Sequence, residues 1–450
     1  MSDAGLFAPA FSTPALREAF SAEAWLQALL DFEAALARVQ ARAAKLPASA
    51  AEAIAEACRA ERFDAGAIAE AAVAAGNPVI PLLRALSREL PREASVWLHF
   101  GATSQDAIDT ALSLLARRAL DSVRGDLDSL LDLCAELAAA HRDTPMAART
   151  LLQHALPTTF GLKVAGWLAA LLDAGARLDE LRARGLAVQL GGAAGTLAAL
   201  EPGGVALARE LARELGLAEP LVPWHAARGR VAELGCALGV TCGALGKVAL
   251  DVALLAQTEV GELRESPAPG RGGSSTLPQK RNPVGAAGAL ACVKRVPGLV
   301  ATLLGALPQE HERAIGGWQA EWETLPEIFR LTGAAATQLG VALRGAEIDV
   351  AQMRANLDTT RGAIVSERIA LSLAPLLGRL AAQEKVAAAS RLAAERGGSL
   401  REALLADPAV AAALDPAALE SALEASHYLG AAGELVDRVL ARHRELRGRR

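Results

Sequence analysis

Two long stripes of apolar residues most constrain how this 450-residue chain can fold. In the first, apolar side chains recur every three or four residues from Ile108 to Leu137, which is the spacing of one helix face. No proline interrupts the stripe, so it predicts a single helix of about 30 residues and about 45 Å. In the second, from Val231 to Leu255, the steps alternate as in a heptad repeat. Helices this long pack side by side at shallow angles, so we predict an elongated helix bundle in the middle of the chain.

The composition favours an all-α fold. The chain is 52% hydrophobic but only 3% aromatic. Much of the hydrophobic share is alanine, which favours helices, whereas the aromatic residues that favour strands are scarce. A further helix is predicted from Ser21 to Arg42, and breaks at proline and glycine predict shorter helices near the carboxyl end. We therefore expect three helical domains, at residues 1–104, 105–347 and 348–450, with the long bundle in the central one.

Charge and cysteine content argue against several classes of function. A net charge of −5 gives no long-range attraction for nucleic acid. The five cysteines lie far apart, and neither they nor the histidines have metal-ligand spacing, so we predict buried thiols and no metal. The amino-terminal segment lacks the pattern of a secretory signal, and uncharged stretches fall short of the roughly 18–20 residues of a membrane span. We expect a cytoplasmic protein with no membrane partner and no nucleic-acid partner.

Two glycine-rich segments differ in what they predict. Residues 188–196, VQLGGAAGT, lack both of the common phosphate-binding glycine patterns, so no phosphate site is expected there. Residues 270–283, GRGGSSTLPQKRNP, combine glycines, prolines and adjacent hydroxyls and predict a loop after the second stripe. A flexible linker would have no need of Lys280, Arg281 and Asn282 between two prolines. We interpret this second loop as functional.

Three motifs in order resemble those of the fumarase/aspartase superfamily. Residues 273–283, GSSTLPQKRNP, resemble its signature loop GSSxMPxKxNP, with Leu277 in place of methionine. Residues 99–106, HFGATSQD, and 149–157, RTLLQHALP, resemble its first and second conserved regions. The resemblance covers most of the chain. It implies an all-α, three-domain fold whose central long-helix bundle assembles into a tetramer core, with each active site built from three subunits.

The resemblance also implies roles for individual residues. Ser274 matches the catalytic serine that moves a proton on a loop that closes over substrate, and Lys280 matches the cation that stabilises its alkoxide. A structural hydrogen bond is the alternative role for each matched residue. No cofactor and no metal are implied. The positions that match substrate-binding groups are His99, Thr103, Ser104, Gln153, His154, Ser275, Asn282 and Arg313.

Two departures from the superfamily pattern bear on the chemistry. Many of its lyases read T-H-x-Q-x-A-x-P in the second region, but Leu151 occupies the histidine position here. The usual glutamate partner of that histidine falls at Ala287. The pair protonates leaving groups such as water or an amine. A carboxylate leaving group has a conjugate acid with a pKa of about 4 and needs no such help.

The absence of this pair is expected for lactonisation of 3-carboxy-cis,cis-muconate. In that reaction a carboxylate adds across a double bond, and the reverse step expels a carboxylate. The local sequence also resembles that of the bacterial cycloisomerases of the superfamily, in residues 20–23, 30–36, 153–157, 282–287 and 311–322. We expect a cycloisomerase of the protocatechuate branch of aromatic catabolism that acts on a small tricarboxylate. An adenylosuccinate lyase-like enzyme is the nearest alternative, but its phosphate-site serine and second arginine would fall at Trp318 and Trp322. A non-catalytic, crystallin-like structural protein is the other alternative.

Overall fold

The computed structural model describes residues 5–266, 272–273, 276–277 and 280–448. The α-helices of this part, in chain order, are α1 (Pro14–Ala19), α2 (Ala22–Arg42), α3 (Ala48–Ala57), α4 (Ala65–Ala75), α5 (Val79–Glu89), α6 (Arg92–Ser95), α7 (Ser104–Ala140), α8 (Phe160–Arg184), α9 (Gly204–Leu215), α10 (Gly229–Leu255), α11 (Val284–Gly305), α12 (Gly317–Leu343), α13 (Val350–Asp358), α14 (Ser366–Leu377), α15 (Arg379–Arg396), α16 (Leu400–Leu405), α17 (Pro408–Ala413), α18 (Pro416–Leu423) and α19 (Ala432–Gly448). Short strands form two antiparallel pairs, β1 (Pro145–Thr150) with β2 (Gln153–Thr159), and β3 (Leu263–Arg264) with β4 (Glu347–Ile348). The predicted all-α class is confirmed.

Both predicted long helices are present. The first is α7, whose stripe is buried from Ile108 to Cys134, while Leu137 at its end is half-buried. The second is α10, and every member of its stripe is buried. The apolar periodicity of these two stripes therefore predicted both the helices and the faces that they bury. The buried stripe of α10 consists of Val231, Leu234, Leu238, Thr241, Leu245, Val248, Val252 and Leu255.

The amino-terminal helix α2 begins where its sequence predicts. The Ser21 hydroxyl accepts a hydrogen bond from the Ala24 N–H at 3.1 Å, which satisfies one of the free donors at the helix start. Between this cap and Arg42 the helix is continuous. One face of α2 carries Glu33 and Gln40, both of which are almost fully buried. These two polar residues contact the segment before α7, as described below.

The chain divides into two compact units, each assembled from three segments. The first unit contains residues 1–128, 173–246 and 288–338, and the second contains residues 129–172, 247–287 and 339–450. In the second unit a hydrophobic cluster includes Ile369, Leu373, Leu400 and Leu404. The three domains expected from the sequence, with boundaries at residues 104/105 and 347/348, stay a prediction.

Within the part of the chain that the structure describes, two helices have the length and composition of a membrane span, α10 and α11. Both helices are longer than the uncharged stretches considered above, because α11 continues through Lys294 and Arg295 and α10 continues through its own charged residues. Core helices of soluble proteins have the same composition, and half of the apolar window of α10 is buried within the chain. Only 22% of the corresponding window of α11 is buried. The five cysteines are free thiols, four of them buried and Cys236 partly exposed.

Candidate active site

His99, Thr103 and Ser104 lie in the first unit, where a short loop leads into α7. The His99 backbone has a φ of +57°, which is uncommon for a residue other than glycine. Its ring Nδ1 lies 2.6 Å from Oε1 of Glu33. Thr103 and Ser104 are partly exposed, and neither hydroxyl has a hydrogen-bond partner within the described residues. Both hydroxyls are therefore free to bind a ligand at the start of α7.

The start of α7 is fixed by the buried carboxylate of Asp106. This carboxylate accepts hydrogen bonds from the N–H groups of Thr103 at 3.0 Å, Gly191 at 3.0 Å and Gly192 at 2.9 Å. It also lies 2.6 Å from Nε2 of His225. A Cβ atom at Gly191 would come within 2.8 Å of the His225 ring, so the glycine is required. The N–H groups of this glycine-rich segment serve a protein carboxylate, consistent with the expectation that it is not a phosphate site.

Arg313 lies in the first unit beside the same glycine-rich segment. Its NH2 group donates to the carbonyl of Ala193 at 3.2 Å, while its Nε is buried with no partner in the described structure. Trp318 occupies the position at which the phosphate-site serine of adenylosuccinate lyases would fall. It is buried, and its indole N–H donates to Asp109 at 3.0 Å. Trp318 is therefore a core residue rather than a ligand-facing one.

A buried ion cluster in the first unit escaped the sequence analysis. The Arg228 guanidinium is 1% exposed and contacts the carboxylates of Asp109 at 2.7 Å and Glu321 at 2.6 Å. Burial raises the pKa of the Glu321 carboxyl, against the opposing effect of Arg228. Gln105 and Gln189 each donate a further hydrogen bond to Asp109 at 3.2 Å. The cluster ties α7 to the residue before α10 and to the first turns of α12.

Gln153 and His154 lie in the second unit, on the β1–β2 hairpin that the sequence analysis did not anticipate. Gln153 is exposed and His154 is half-buried. Burial, together with the nearby Arg149 charge, lowers the pKa of the His154 imidazole below its usual value. The turn of the hairpin consists of Leu151 and Leu152, both at positive φ and 96% and 76% exposed. A positive φ is strained for a leucine, and strained backbone of this kind is concentrated at functional sites.

An ion pair anchors this hairpin within the second unit. Arg149 donates two hydrogen bonds to the carboxylate of Glu262, at 2.9 and 2.8 Å. Asn356 donates to the same carboxylate at 2.7 Å. Glu262 is fully buried, so its charge is balanced by a bidentate arginine, as buried carboxylates require. The backbone that carries Gln153 and His154 is therefore held rigidly.

The described residues of the signature loop form a narrow base in the second unit. Gly273 and Arg281 pair as an antiparallel bridge, and the Asn282 N–H donates to the Gly272 carbonyl at 2.9 Å. Gly272 has a φ of +66°, and a Cβ atom there would lie 2.7 Å from the Asn282 carbonyl oxygen. Only glycine fits this position without a shift of the backbone.

The carboxyl end of the loop is fixed by two acidic residues. Glu265 accepts hydrogen bonds from the Gly285 and Ala286 N–H groups at the start of α11, at 3.0 and 2.9 Å. Arg281 pairs with Glu347. The Lys280 ammonium is exposed and has no ion-pair partner within the described residues. It is thus free to contact an anionic ligand.

The predicted residues fall into two groups, and two of them cannot be placed. Ser274 and Ser275 lie outside the described residues. The first unit holds the group His99, Thr103, Ser104 and Arg313, and the second unit holds the group Gln153, His154, Lys280 and Asn282. Within each group, cations and neutral donors predominate, which suits an anionic substrate. Within the described residues, no group of three or more His, Cys, Asp and Glu side chains has the arrangement of a metal site.

Residues 10–298 match the protein family described as Lyase, and residues 362–439 match the adenylosuccinate lyase C-terminus family. The first match covers more than half of the chain. The chain belongs to this lyase family of the fumarase/aspartase superfamily. The superfamily inferred from the three motifs is therefore confirmed.

Full-length relatives of the chain include enzymes with two different names. A 3-carboxy-cis,cis-muconate cycloisomerase of Pseudomonas aeruginosa is 48% identical and covers 98% of this chain and 97% of its own. A nitrosuccinate lyase of Streptomyces davaonensis is 46% identical and covers 97% of this chain and 94% of its own. The crystal structure of the 3-carboxy-cis,cis-muconate lactonizing enzyme from Pseudomonas putida is 48% identical, has a TM-score of 0.94, and covers 98% of this chain and 99% of its own. The chain is thus similar to these enzymes, and shares the fold of the lactonizing enzyme, over nearly its whole length.

Proposed function

We propose that this lyase-family protein interconverts 3-carboxy-cis,cis-muconate and 4-carboxymuconolactone, a step of protocatechuate degradation. The observation that carries the proposal is 48% identity to a cycloisomerase of that name over 98% of this chain. Aliphatic residues at the two relay positions, Leu151 and Ala287, support it. So do the unpaired Lys280 and the free hydroxyls of Thr103 and Ser104, which suit a tricarboxylate. No cofactor is needed, because the reaction redistributes atoms within one molecule.

The proposed mechanism assigns the proton to Ser274. In lactonisation, one carboxylate oxygen bonds to one carbon of a double bond, and the other carbon of that bond takes up a proton. Ser274 donates that proton and is reprotonated from water; in the reverse direction its alkoxide removes the same proton. Charge accumulates on the carboxylate next to the protonated carbon. Lys280 and backbone N–H groups stabilise this charge, and Asn282, Gln153, His154, Ser275 and Arg313 hold the remaining carboxylates.

Restoring the missing relay tests the leaving-group argument. The double variant Leu151→His with Ala287→Glu introduces the acid pair of other superfamily lyases. Because a carboxylate leaves without protonation, we expect no increase in kcat for lactonisation in either direction. The measurement is steady-state kinetics of the double variant beside wild type. A rate gain of about tenfold or more would show that protonation limits the reaction.

Nitrosuccinate elimination is a second candidate, because a nitrosuccinate lyase is 46% identical to this chain. Nitrite, like a carboxylate, is the anion of a weak acid, so its expulsion would not need the missing relay either. The two functions differ in their products: lactonisation gives one isomer, whereas elimination gives nitrite and fumarate. Comparing kcat/KM for the two substrates with one enzyme preparation decides between them. We expect 3-carboxy-cis,cis-muconate to be preferred; preference for nitrosuccinate would contradict the proposal.

The adenylosuccinate alternative receives less support from the structure. Trp318, at the position of a phosphate-site serine, is 4% exposed and bonded to Asp109. A buried indole leaves no hydroxyl for a phosphate at that point. The crystallin-like alternative is disfavoured by the enzyme relatives and by the complete signature loop.

We further propose that the protein works in the cytoplasm as a homotetramer, with active sites shared between subunits. Long helices of the first unit expose large apolar side chains to solvent: Val240 of α10 is 53% exposed and Leu304 of α11 is 46% exposed. In a monomer, these side chains and the poorly buried α11 would expose apolar surface to water. We propose that another copy of the chain covers this surface, as in the tetramers that the family resemblance implies.

A charge on this surface should break the tetramer. In Val240→Glu, burying an unpaired carboxylate between subunits is costly, so we expect dimers or monomers and a large loss of activity. Sedimentation velocity measures the mass against four times the 46.4 kDa chain. The matched control is Leu380→Glu on α15, where the leucine is 75% exposed and the tetramer should persist. A tetrameric Val240→Glu protein would contradict the proposed interface.

A further inference from the structure

Glu33, which contacts the predicted substrate-binding residue His99, has no assigned role in the reaction. Glu33 lies on α2 and is 2% exposed, and its Oε1 lies 2.6 Å from Nδ1 of His99. The second oxygen, Oε2, is buried with no hydrogen-bond partner in the described chain. A buried carboxylate with one partner depends on that partner for its charge balance. His99 is therefore the group that balances Glu33.

Other charged and titratable groups near this pair do not replace His99. The Cys58 thiol faces Glu33, and burial, with Glu33 and Asp31, raises its pKa, so it stays neutral. Asp106 faces His99 from α7, but its carboxylate is already bonded to three backbone N–H groups and contacts His225. Burial alone lowers the pKa of the His99 imidazole, but the charge and hydrogen bond of Glu33, helped by Asp106, outweigh it and raise that pKa. Every nearby carboxylate thus favours the charged ring.

Helix α2 also fixes the position of the histidine. Gln40, two turns after Glu33 on the same helix, donates from Nε2 to the carbonyl of Phe100 at 2.7 Å. One helix face therefore holds both the His99 ring and the backbone next to it. Between these two contacts, the backbone of His99 has a positive φ. Nε2 of His99 has no partner among the described residues, and the side chain is 15% exposed.

We propose that Glu33 is a positioning residue, which holds His99 as an imidazolium by its Nδ1 and leaves Nε2–H to bind a substrate carboxylate. This inference rests on the proposed function, because it needs a polycarboxylate substrate. A neutral imidazole that keeps its proton on Nδ1 for Glu33 would present the Nε2 lone pair to the ligand and repel it. Glu33 fixes the orientation of the ring, and its charge favours the second proton on Nε2. It acts through His99 and does not itself touch substrate.

The test is the pH dependence of ligand binding in Glu33→Gln, which keeps the shape of the side chain but removes its charge. Tricarballylate, a non-reactive tricarboxylate, serves as the probe in titration calorimetry from pH 6 to pH 9. Binding that needs imidazolium weakens as the pH rises through the pKa of His99. Without Glu33 that pKa falls, so the variant should lose affinity at a lower pH. At pH values above the His99 pKa of both wild type and Glu33→Gln, a variant pKa that is one unit lower means binding about tenfold weaker than in wild type. The value of kcat/KM for 3-carboxy-cis,cis-muconate should fall over the same range.

A double-mutant cycle separates positioning from a structural role. His99→Asn is neutral at every pH and should bind tricarballylate weakly throughout, and adding Glu33→Gln to it should change nothing further. Glu23→Gln, an exposed change on the same helix, should match wild type. A folded Glu33→Gln protein with the wild-type pH profile would overturn the inference. If Glu33→Gln does not fold, Glu33→Asp should move the profile partway, and an unmoved profile would overturn it equally.

The two readouts distinguish failure of this inference from failure of the proposed function. A wild-type protein that binds tricarballylate with the expected pH dependence but does not lactonise contradicts only the function. A protein that lactonises while Glu33→Gln leaves both pH profiles unchanged contradicts only the role of Glu33.

Discussion

Replacing Ser274 with alanine should lower kcat for lactonisation about a thousandfold, while the tetramer and the melting temperature stay as in wild type. General acid–base groups contribute about 10²- to 10⁴-fold to the rate. Ser274 is the residue that matches the catalytic serine of the signature loop. Steady-state kinetics and sedimentation measure the two parts of the expectation.

The neighbouring serine is the matched control for this change. Ser275→Ala should act mainly on KM, because Ser275 is proposed to bind substrate and not to move the proton. Near-normal turnover in Ser274→Ala would remove Ser274 from the proton transfer. Equal losses of kcat in both variants would indicate that the loop matters as a whole, and would contradict the specific assignment.

Replacing Arg228 with leucine should destabilise the fold by about 3–5 kcal/mol, because it leaves two buried carboxylates unpaired. These are Asp109 and Glu321, which are 0% and 2% exposed. Urea unfolding at a fixed protein concentration measures the change. The control is Arg209→Leu, which removes a surface pair with Glu219 at 3.1 Å and should have little effect. A loss below about 1 kcal/mol for Arg228→Leu would contradict this account of the cluster.

The same variant should regain stability in acid. Burial already raises the pKa of the Glu321 carboxyl, and without Arg228 that pKa rises further. The folded state then binds more protons than the unfolded state at pH values just above the usual glutamate range, so the free energy of unfolding increases as the pH falls. The difference between Arg228→Leu and wild type should therefore shrink toward pH 5. A constant difference across this range would mean that lost packing, and not unpaired charge, causes the destabilisation.

The sequence alone was sufficient to predict the long helices and to identify the signature loop. The stripes of α7 and α10 are regular over many turns, and such patterns allow only a helix with one buried face. The β1–β2 hairpin was missed because Pro145 begins one strand, and Leu151 and Leu152 occupy a turn that usually contains glycine or asparagine. The geometry of this turn is set by the surrounding structure, so the turn propensities of its own residues do not predict it.

Contacts between distant residues account for the rest of what sequence reasoning missed. A lone arginine such as Arg228 is expected on the surface, and only the folded chain brings Asp109 and Glu321 to it. Glu33 and His99 are likewise far apart in the sequence, and Glu33 reads as one more polar residue of an amphipathic helix. The hydrogen bond from the indole N–H of Trp318 to Asp109 could not be inferred either. Motifs identified the individual site residues, whereas the groups that orient them became visible only in three dimensions.

The measurement that tests the central claim most directly is the ultraviolet absorbance of 3-carboxy-cis,cis-muconate mixed with the purified protein, followed by the mass of the product. Lactonisation breaks the conjugated diene and keeps every atom. We predict that the diene absorbance disappears at a rate proportional to enzyme concentration, and that the product has the mass of the substrate. Unchanged absorbance with a folded, tetrameric protein would contradict the proposed function.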